Sequence, residues 1–182
     1  SFIFQYAYAQ QSNFTITKNG NIVGMMNCVE KTDGLNTFLK ITSKVNTRFV
    51  FKITVETEDQ SHFVNGRLIT STVQRKVNGS DKAIKKTSWV NNTYHLLEGS
   101  KSATFNQDIH YNMMMLYNRE PVNISKAYSD NFQCFLAIKR IANHVYRVDL
   151  PVGSYNEYHF ENNVCQRVTV NHTLYAVKME RV

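Results

Sequence analysis

Hydrophobic and polar residues alternate along most of the chain, and short turn motifs interrupt this alternation at regular intervals. Phe49, Phe51, Ile53 and Val55 occupy every second position of one segment, and mostly polar residues lie between them. This spacing puts all four side chains on the same face of a β-strand. We therefore predict that these four residues are buried on the inner face of a sheet whose other face meets water.

The turn motifs predict that the strands form hairpins. Asn-Gly pairs begin at Asn19, Asn65 and Asn78, and each lies between two alternating segments. An Asn-Gly pair favours the positive φ angles of a two-residue hairpin loop. Between such turns the alternation predicts strands at residues 14–17, 22–29, 35–45, 49–56, 67–77, 82–90, 93–98, 132–140, 144–150, 155–161, 164–171 and 173–179.

These hairpins predict an all-β protein with a single antiparallel up-and-down β-barrel, or a strongly curved half-barrel, of about ten strands with one short helix. Sheet twist and the exposed edges of so long a sheet both favour curling. The helix is expected within residues 108–117, where apolar residues cluster without alternating. Residues 10–182 are expected to form this one domain, because the length suits a single core and no linker is visible.

The first nine residues carry a separate signal. Ala7 and Ala9 place small residues at the two positions that a signal peptidase reads before cleavage. Residues 1–9 are therefore expected to be the remnant of a secretory signal, or else a disordered extension or a short first strand. The first of these alternatives predicts a periplasmic or secreted protein.

Charge raises the question of an anionic partner, because the formal net charge is +7. Five basic residues crowd one predicted hairpin: Arg75, Lys76, Lys82, Lys85 and Lys86. The alternation divides their side chains between the two faces of the sheet, so that they form no continuous groove for stacked bases. We predict no nucleic-acid partner. Since no apolar run approaches about 20 residues, we also predict no transmembrane span.

Motifs for catalysis or metal binding are not found in the sequence. The six histidines are spread without the spacing that directs two imidazoles at one metal, and no nucleophile elbow, phosphate-binding loop or Cys-x-x-Cys pair occurs. Cys28, Cys134 and Cys165 are expected to be small apolar strand residues, with one disulfide left open as an alternative. We therefore predict a protein that is not an enzyme and that has no cofactor and no metal site.

The candidate site lies in the segment that breaks the alternation. Met113, Met114 and Met115 supply flexible apolar side chains that can line an adaptable pocket, and Tyr117 and Glu120 can supply polar groups at its mouth. Two alternatives follow for residues 108–121. The segment is either a lid over a ligand pocket, or a plug that fills one end of the barrel. Both place it against the concave face of the sheet.

Several short motifs support a family resemblance. They are residues 63–68 (Phe-Val-Asn-Gly-Arg-Leu), 116–121 (Leu-Tyr-Asn-Arg-Glu-Pro), 128–130 (Tyr-Ser-Asp), 135–139 (Phe-Leu-Ala-Ile-Lys) and 148–151 (Val-Asp-Leu-Pro) with Gly153. Together with the hairpins, they make the chain from around Asn13 onward resemble a family of uncharacterised exported bacterial proteins, catalogued as a domain of unknown function. The resemblance implies a β-fold and an exported location but no activity. The likeness to lipocalin-like or LolA-like lipid carriers is one of architecture alone.

Two functions are expected from these observations. The first is a non-enzymatic exported protein that binds a lipid or another apolar or amphipathic small molecule within the curved sheet. The second is a structural or protein-interaction module of the cell envelope, whose barrel is filled by its own side chains and whose partner is an envelope protein. In either case we expect a monomer.

Overall fold

The computed structural model describes residues 8–48, 52–172 and 175–182, and these form one antiparallel sheet of 14 strands. The strands are β1 (Tyr8–Lys18), β2 (Asn21–Asp33), β3 (Asn36–Arg48), β4 (Lys52–Val64), β5 (Arg67–Val77), β6 (Ser80–Val90), β7 (Thr93–Glu98), β8 (Lys101–Phe105), β9 (Lys126–Ser129), β10 (Cys134–Ala142), β11 (Val145–Asp149), β12 (Tyr155–Glu161), β13 (Val164–His172) and β14 (Tyr175–Arg181). Short 3₁₀-helices occupy Met113–Tyr117 and Pro151–Gly153.

The sheet is curled but not closed. Its strand order is β8-β7-β6-β5-β4-β3-β2-β1-β14-β13-β12-β11-β10-β9, so that β1 pairs with β14 in the middle and β8 and β9 are the two edges. The edges approach each other through side chains, since the rings of Phe105 on β8 and Tyr128 on β9 lie 6.3 Å apart. The all-β, barrel-like architecture is confirmed. The expected number of about ten strands is wrong, because the sheet has 14.

Two strands that the sequence pattern did not reveal are the edges themselves. Both β8 and β9 are short, and β8 is rich in polar and small residues (Lys-Ser-Ala-Thr-Phe). Edge strands are often short and polar because that discourages pairing with other chains. The alternation signal is weak in such strands. Elsewhere the predicted strands at residues 67–77, 93–98 and 155–161 coincide with β5, β7 and β12.

The Asn-Gly pairs form the predicted tight turns. Asn19 and Gly20 have φ angles of 50° and 78°, and Asn65 and Gly66 have φ angles of 48° and 75°. Positive φ at both central residues is the geometry of a type I′ turn, whose twist matches that of the flanking strands. These local preferences explain why consecutive strands pair with one another over most of the sheet.

The side chains of β4 face the predicted sides of the sheet, but those near its start are less buried than predicted. Phe49 and Phe51 lie outside the described residues. Ile53 and Val55 share their face with the buried Ser61 and Phe63, yet both are only half-buried, which corrects the expectation of a fully buried face. The reason is that β5 pairs with β4 only from Val55 onward, so the β3–β4 hairpin extends beyond its neighbour and beyond the core.

The core fills the concave side of the sheet. Inward-facing residues of β1 to β5 and of β10 to β13 supply most of it, and Ile109, Met114, Met115 and Leu116 join it from the connection between β8 and β9. Cys28 and Cys165 are buried within this core as free thiols, and Cys134 is a free thiol that is half-buried. No helix in the described part of the chain is long and apolar enough to cross a membrane.

Residues 1–7 of the expected signal remnant lie outside the described residues. Tyr8 and Ala9 belong to β1, where they pair with Thr32 and Lys31 of β2, and both side chains are exposed. The expectation that residues 1–9 are a signal remnant therefore stays a prediction.

Candidate functional site: a cavity beside the inserted segment

Residues 108–121, called the plug segment here, lie on the concave side of the sheet. Leu68 donates its backbone N–H to the Ile109 carbonyl at 2.9 Å, and Tyr128 donates to the Tyr111 carbonyl at 2.9 Å. One 3₁₀-helix follows at Met113–Tyr117, where Met114, Met115 and Leu116 are buried. Three consecutive methionines suit this irregular turn because their unbranched side chains adapt to gaps in a core.

Two polar clusters fix the C-terminal end of the plug segment to the sheet. The carboxylate of Glu30 on β2 accepts a hydrogen bond from Asn118 Nδ2 at 3.1 Å and forms an ion pair with Arg119. The carboxylate of Glu120 accepts one from the Tyr146 hydroxyl at 2.8 Å and lies 3.0 Å from His144 Nδ1. Both carboxylates are thus used to hold the segment in place.

A third cluster fixes the start of the 3₁₀-helix. Asn112 is fully buried, and its side-chain Nδ2 donates to Ser61 Oγ at 2.8 Å and to Asp130 Oδ2 at 3.0 Å. The Ser61 hydroxyl in turn lies 3.1 Å from the sulfur of Met114. This chain of contacts connects β4, the plug segment and the loop after β9.

A cavity of 230 Å³ lies next to this cluster, between the plug segment and the sheet. Its apolar walls include Met113, Met114, Tyr117, Leu150 and Phe132. Its polar walls are supplied by Asp59, Arg75, Asp130, Asn131 and Asn156, with Ser129 and Tyr158 beside them and Ile41 completing the lining. The cavity therefore combines an apolar surface with a group of acidic and amide side chains.

Three acceptor oxygens of the lining residues are buried without a hydrogen-bond partner in the structure: Asp59 Oδ1, Asp130 Oδ1 and Asn156 Oδ1. Buried polar atoms are nearly always hydrogen-bonded, and each exception needs an explanation. Unsatisfied buried groups cost about 1–3 kcal/mol, and more when they are charged. Such a concentration around one cavity is the strongest functional signal in the described residues.

Burial changes the acidity of both carboxyl groups. It raises the pKa of Asp59 to about 6, against the opposing charge of Arg75. It raises the pKa of Asp130 to about 7; hydrogen bonds from Ser71 and Asn112 act in the opposite direction, and the charge of Asp59 raises this pKa further. Carboxyl groups that titrate near neutrality in a cleft are typical of functional sites.

The structure brings together some of the residues predicted for the site. Met113, Met114 and Tyr117 line the cavity. Met115 is buried in the core instead, and Glu120 is engaged with His144 and Tyr146; neither is among the cavity's lining residues. Whether the five predicted residues bind a ligand stays a prediction.

Five polar residues of the cavity were not predicted: Asp59, Arg75, Asp130, Asn131 and Asn156. Asp59 carried a usable signal, because it stands on the inward face of β4 between two residues of the same phase, Thr57 and Ser61. A charged residue at an inward position is unusual unless it has a partner or a function. Asp130 and Asn156 belong to other parts of the chain, and only folding brings them to the same place.

Larger depressions occur on the surface, but their linings do not have this character. One of 510 Å³ lies over β2 to β5 and is lined by alternating exposed residues such as Lys44, Glu56 and Lys76. Lys44 and Glu56 are paired with each other at 3.0 Å. Such a lining is that of a solvated outer sheet face, where charged side chains pair with one another.

The fold and the cavity together define a class: an open β-barrel-like protein with a segment inserted against its concave face. The fold is similar to the crystal structure of a beta-barrel-like protein of the domain of unknown function DUF1849 from Brucella abortus, with a TM-score of 0.64, 6% sequence identity, and coverage of 94% of this chain and 94% of that chain. At this identity the likeness concerns the fold alone.

The family model of the domain of unknown function DUF6134 matches residues 14–182, and the chain therefore belongs to that family. No curated protein matches the chain. The predicted resemblance to an uncharacterised β-protein family is thus confirmed.

Proposed function

We propose that this protein is a non-enzymatic binding protein that takes a small amphipathic molecule into the cavity between the plug segment and the sheet. One observation carries the proposal: unpaired buried acceptors and apolar side chains line the same cavity. A binding site for a small molecule is usually a mostly apolar concavity with a few convergent polar groups. This cavity has both parts.

The size of the cavity limits the ligand. Pockets for drug-sized ligands measure about 300–1,000 Å³, whereas this cavity measures 230 Å³. An apolar cavity of about 150 Å³ holds a single benzene ring. The proposed ligand is therefore about one aromatic ring with a short polar side chain, or an alkyl group of similar volume. A whole fatty acid chain exceeds this volume.

A direct binding experiment tests this proposal. We expect 2-phenylethanol, a neutral amphipathic probe of the right size, to bind the parent protein in a titration followed by NMR. Met113→Trp should abolish binding, because Met113 is half-buried at the cavity wall and the larger ring fills the space. Met25→Trp is the matched control, since Met25 is 55% exposed on the outer face. A parent protein that binds neither this probe nor any probe of similar size contradicts the proposal.

A second function is favoured by a different observation. Met114, Met115 and Leu116 are buried in the main core, as expected of a plug that fills its own barrel. We propose as the alternative a structural or protein-interaction module of the cell envelope. Replacing Met113, Met114 and Met115 together by alanine separates the two. If the protein is an interaction module, the free energy of unfolding of the variant falls by several kcal/mol, about 2–5 for each fully buried methionine, and only the variant binds the probe. If it is a binding protein, the parent already binds the probe.

An exported location is part of the proposal in both cases. Its support is the pair of small residues at Ala7 and Ala9, followed by Gln10. N-terminal sequencing of the protein recovered from its natural host tests it. We expect the mature chain to begin near Gln10, and a chain that retains Ser1 would contradict a cleaved signal.

A further inference from the structure

We infer that the cavity beside the plug segment receives a primary ammonium group on a small apolar body, so that the ligand is a short arylalkyl or alkyl amine. This inference rests on the proposed function and specifies the ligand class of the same site. It follows from the hydrogen-bonding character of the lining, from its charge and from its volume.

The hydrogen-bonding groups of the cavity require a ligand that donates hydrogen bonds. The cavity has three buried oxygens without a partner, and all three are acceptors: Asp59 Oδ1, Asp130 Oδ1 and Asn156 Oδ1. The other polar atoms of Asp130 and Asn156 are engaged, since Asp130 Oδ2 accepts from Asn112 and Asn156 Nδ2 donates to the Tyr158 hydroxyl at 3.2 Å. A ligand that satisfies the lining must bring donors. A primary ammonium group has three donors and no acceptor, whereas a hydroxyl group has one donor.

The charge of the lining points in the same direction. Asp130 is 5% exposed, and its carboxylate is held by neutral groups, Asn112 and Ser71. Asp59 faces the guanidinium of Arg75, which also lines the cavity. With both aspartates ionised, the cavity therefore carries one negative charge in excess. A cationic ligand neutralises that charge, and a buried charge is tolerated only when it is paired.

The apolar wall favours an organic cation over a metal ion. Met113, Met114, Tyr117 and Leu150 face the same space and offer no hard oxygen ligand from their apolar surfaces. Calcium takes 6–8 oxygen ligands, and the described residues contain no group of three or more His, Cys, Asp or Glu side chains suited to a metal. An amine uses both parts of the cavity, because its ammonium group contacts the acceptors and its apolar body contacts the methionines.

The inference predicts a pH dependence with a definite sign. The pKa of Asp59 is raised to about 6 and that of Asp130 to about 7, so both carboxyls lose their protons between pH 5 and pH 8. The other titratable groups that face them or interact with their charge are Arg75 of β5, Cys28 of β2, Tyr117 of the plug segment, Tyr128 of β9 and Tyr158 of β12. Burial holds the pKa of the thiol and of the three tyrosines above the ordinary value. A primary amine stays protonated over this range. Its affinity should therefore rise with pH, and proton release should accompany binding.

An isosteric series of ligands tests the inference: 2-phenylethylamine, 2-phenylethanol and phenylacetate, titrated into the full chain at pH 8. We expect the amine to bind at least about tenfold more tightly than the alcohol, because a charge-assisted hydrogen bond is about twice as strong as a neutral one. We expect phenylacetate to bind most weakly. Lowering the pH to 5 should remove most of the amine's advantage and leave the affinity of the alcohol nearly unchanged.

Variants connect the preference to the carboxylates. Asp130→Asn should lower the affinity for the amine about tenfold and leave that for the alcohol within about twofold. Asp59→Asn provides a second, independent variant if the first does not fold. Asp108→Asn is the matched control, since Asp108 is an exposed aspartate of the plug segment paired with Arg67 on the surface. It should change neither affinity.

The outcomes separate the inference from the proposed function. If the alcohol or phenylacetate binds as tightly as the amine, or if Asp130→Asn and Asp59→Asn both leave the preference for the amine intact, the ligand class is wrong and the binding site stands. If millimolar Ca²⁺ displaces the alcohol and the amine alike, a cation site replaces the amine site. If no member of the series binds, the proposed function fails as well.

Discussion

Two buried carboxylates at opposite ends of the 3₁₀-helix differ in how completely they are paired. Glu30 and Asp130 are each 5% exposed. Glu30 accepts from Asn118 and pairs with Arg119, so that both of its oxygens have partners. Asp130 has a partner for Oδ2 alone, and its Oδ1 faces a cavity whose other acceptors are also unpaired.

The difference separates a structural role from a binding role. A fully paired buried carboxylate holds two elements together, whereas a half-paired one costs stability. Proteins break the rule of full pairing mainly at functional sites. Under the proposed function, Glu30 is therefore an anchor of the plug segment, and Asp130 is a ligand-binding group of the cavity beside it. If this comparison is right, the same substitution of carboxylate by amide should have opposite effects at the two positions.

Of the two carboxylates, Glu30 is the one whose replacement by an amide is expected to lower stability. Glu30→Gln puts an amide beside Asn118 and Arg119 and removes two contacts to a charged group. We expect a loss of about 1.5–3 kcal/mol, the range for hydrogen bonds to charged groups. Urea denaturation at pH 7 measures it.

Glu56→Gln provides the matched control for this change. Glu56 pairs with Lys44 on the outer face, where both side chains are largely exposed. Exposed ion pairs contribute little, so the control should stay within about 0.5 kcal/mol of the parent. If Glu30→Gln is as stable as Glu56→Gln, Glu30 is not an anchor.

An effect of opposite sign is expected at Asp130. Its folded-state pKa is raised from 3.8 to about 7, so between these pH values the folded state keeps a proton that the unfolded state has lost. Stability therefore falls as pH rises through this window, by at most about 1.4 kcal/mol for each pH unit. Asp130→Asn removes this slope and should be at least as stable as the parent at pH 7.

Thermal unfolding at pH 4 and at pH 7 tests this second prediction. The quantity to compare is the difference in stability between variant and parent at each pH. This difference is needed because other carboxyl groups make the protein more stable, rather than less, as pH rises. Burial alone would raise the pKa of Glu120, but its hydrogen bonds to Tyr146 and His144 outweigh it and lower the pKa, and that contribution is lost as pH falls. A variant that is less stable than the parent at both pH values would show that Asp130 is structural like Glu30.

The hairpins were predictable from sequence because their causes are local. The Asn-Gly pairs set positive φ at each turn, and the alternation sets which side chains face inward. The predicted bounds of β5, β7 and β12 are those of the structure. The edge strands β8 and β9 were missed because their partners, rather than their own pattern, make them strands. The burial of Ile53 and Val55 was overestimated because it depends on where β5 ends.

The candidate site was predictable only in part, for a related reason. Met113, Met114 and Tyr117 were recognised because an apolar run without alternation is visible in a single segment. Asp59 and Asn156 come from two separate strands and Asp130 comes from the loop after β9, and each residue by itself is ordinary in sequence. Their shared property, an oxygen without a donor, exists only in the folded chain.

The smallest effect on stability is expected at Met113, and it tests whether the comparison extends to the apolar side of the cavity. Met113 is half-buried and lines the cavity, whereas its neighbour Met114 is buried and its sulfur lies 3.1 Å from the Ser61 hydroxyl. Met114→Ala should cost about 2–5 kcal/mol, as buried methionines do. Met113→Ala should cost less than about 1 kcal/mol, since little of its transfer energy is gained on folding. The enlarged cavity should then bind 4-phenylbutylamine better than 2-phenylethylamine, whereas the parent is expected to prefer the smaller amine. Equal losses of stability at the two methionines, with no change in ligand order, would mean that both methionines belong to the core and that the proposed binding surface is limited to the polar side of the cavity, at Asp59 and Asp130.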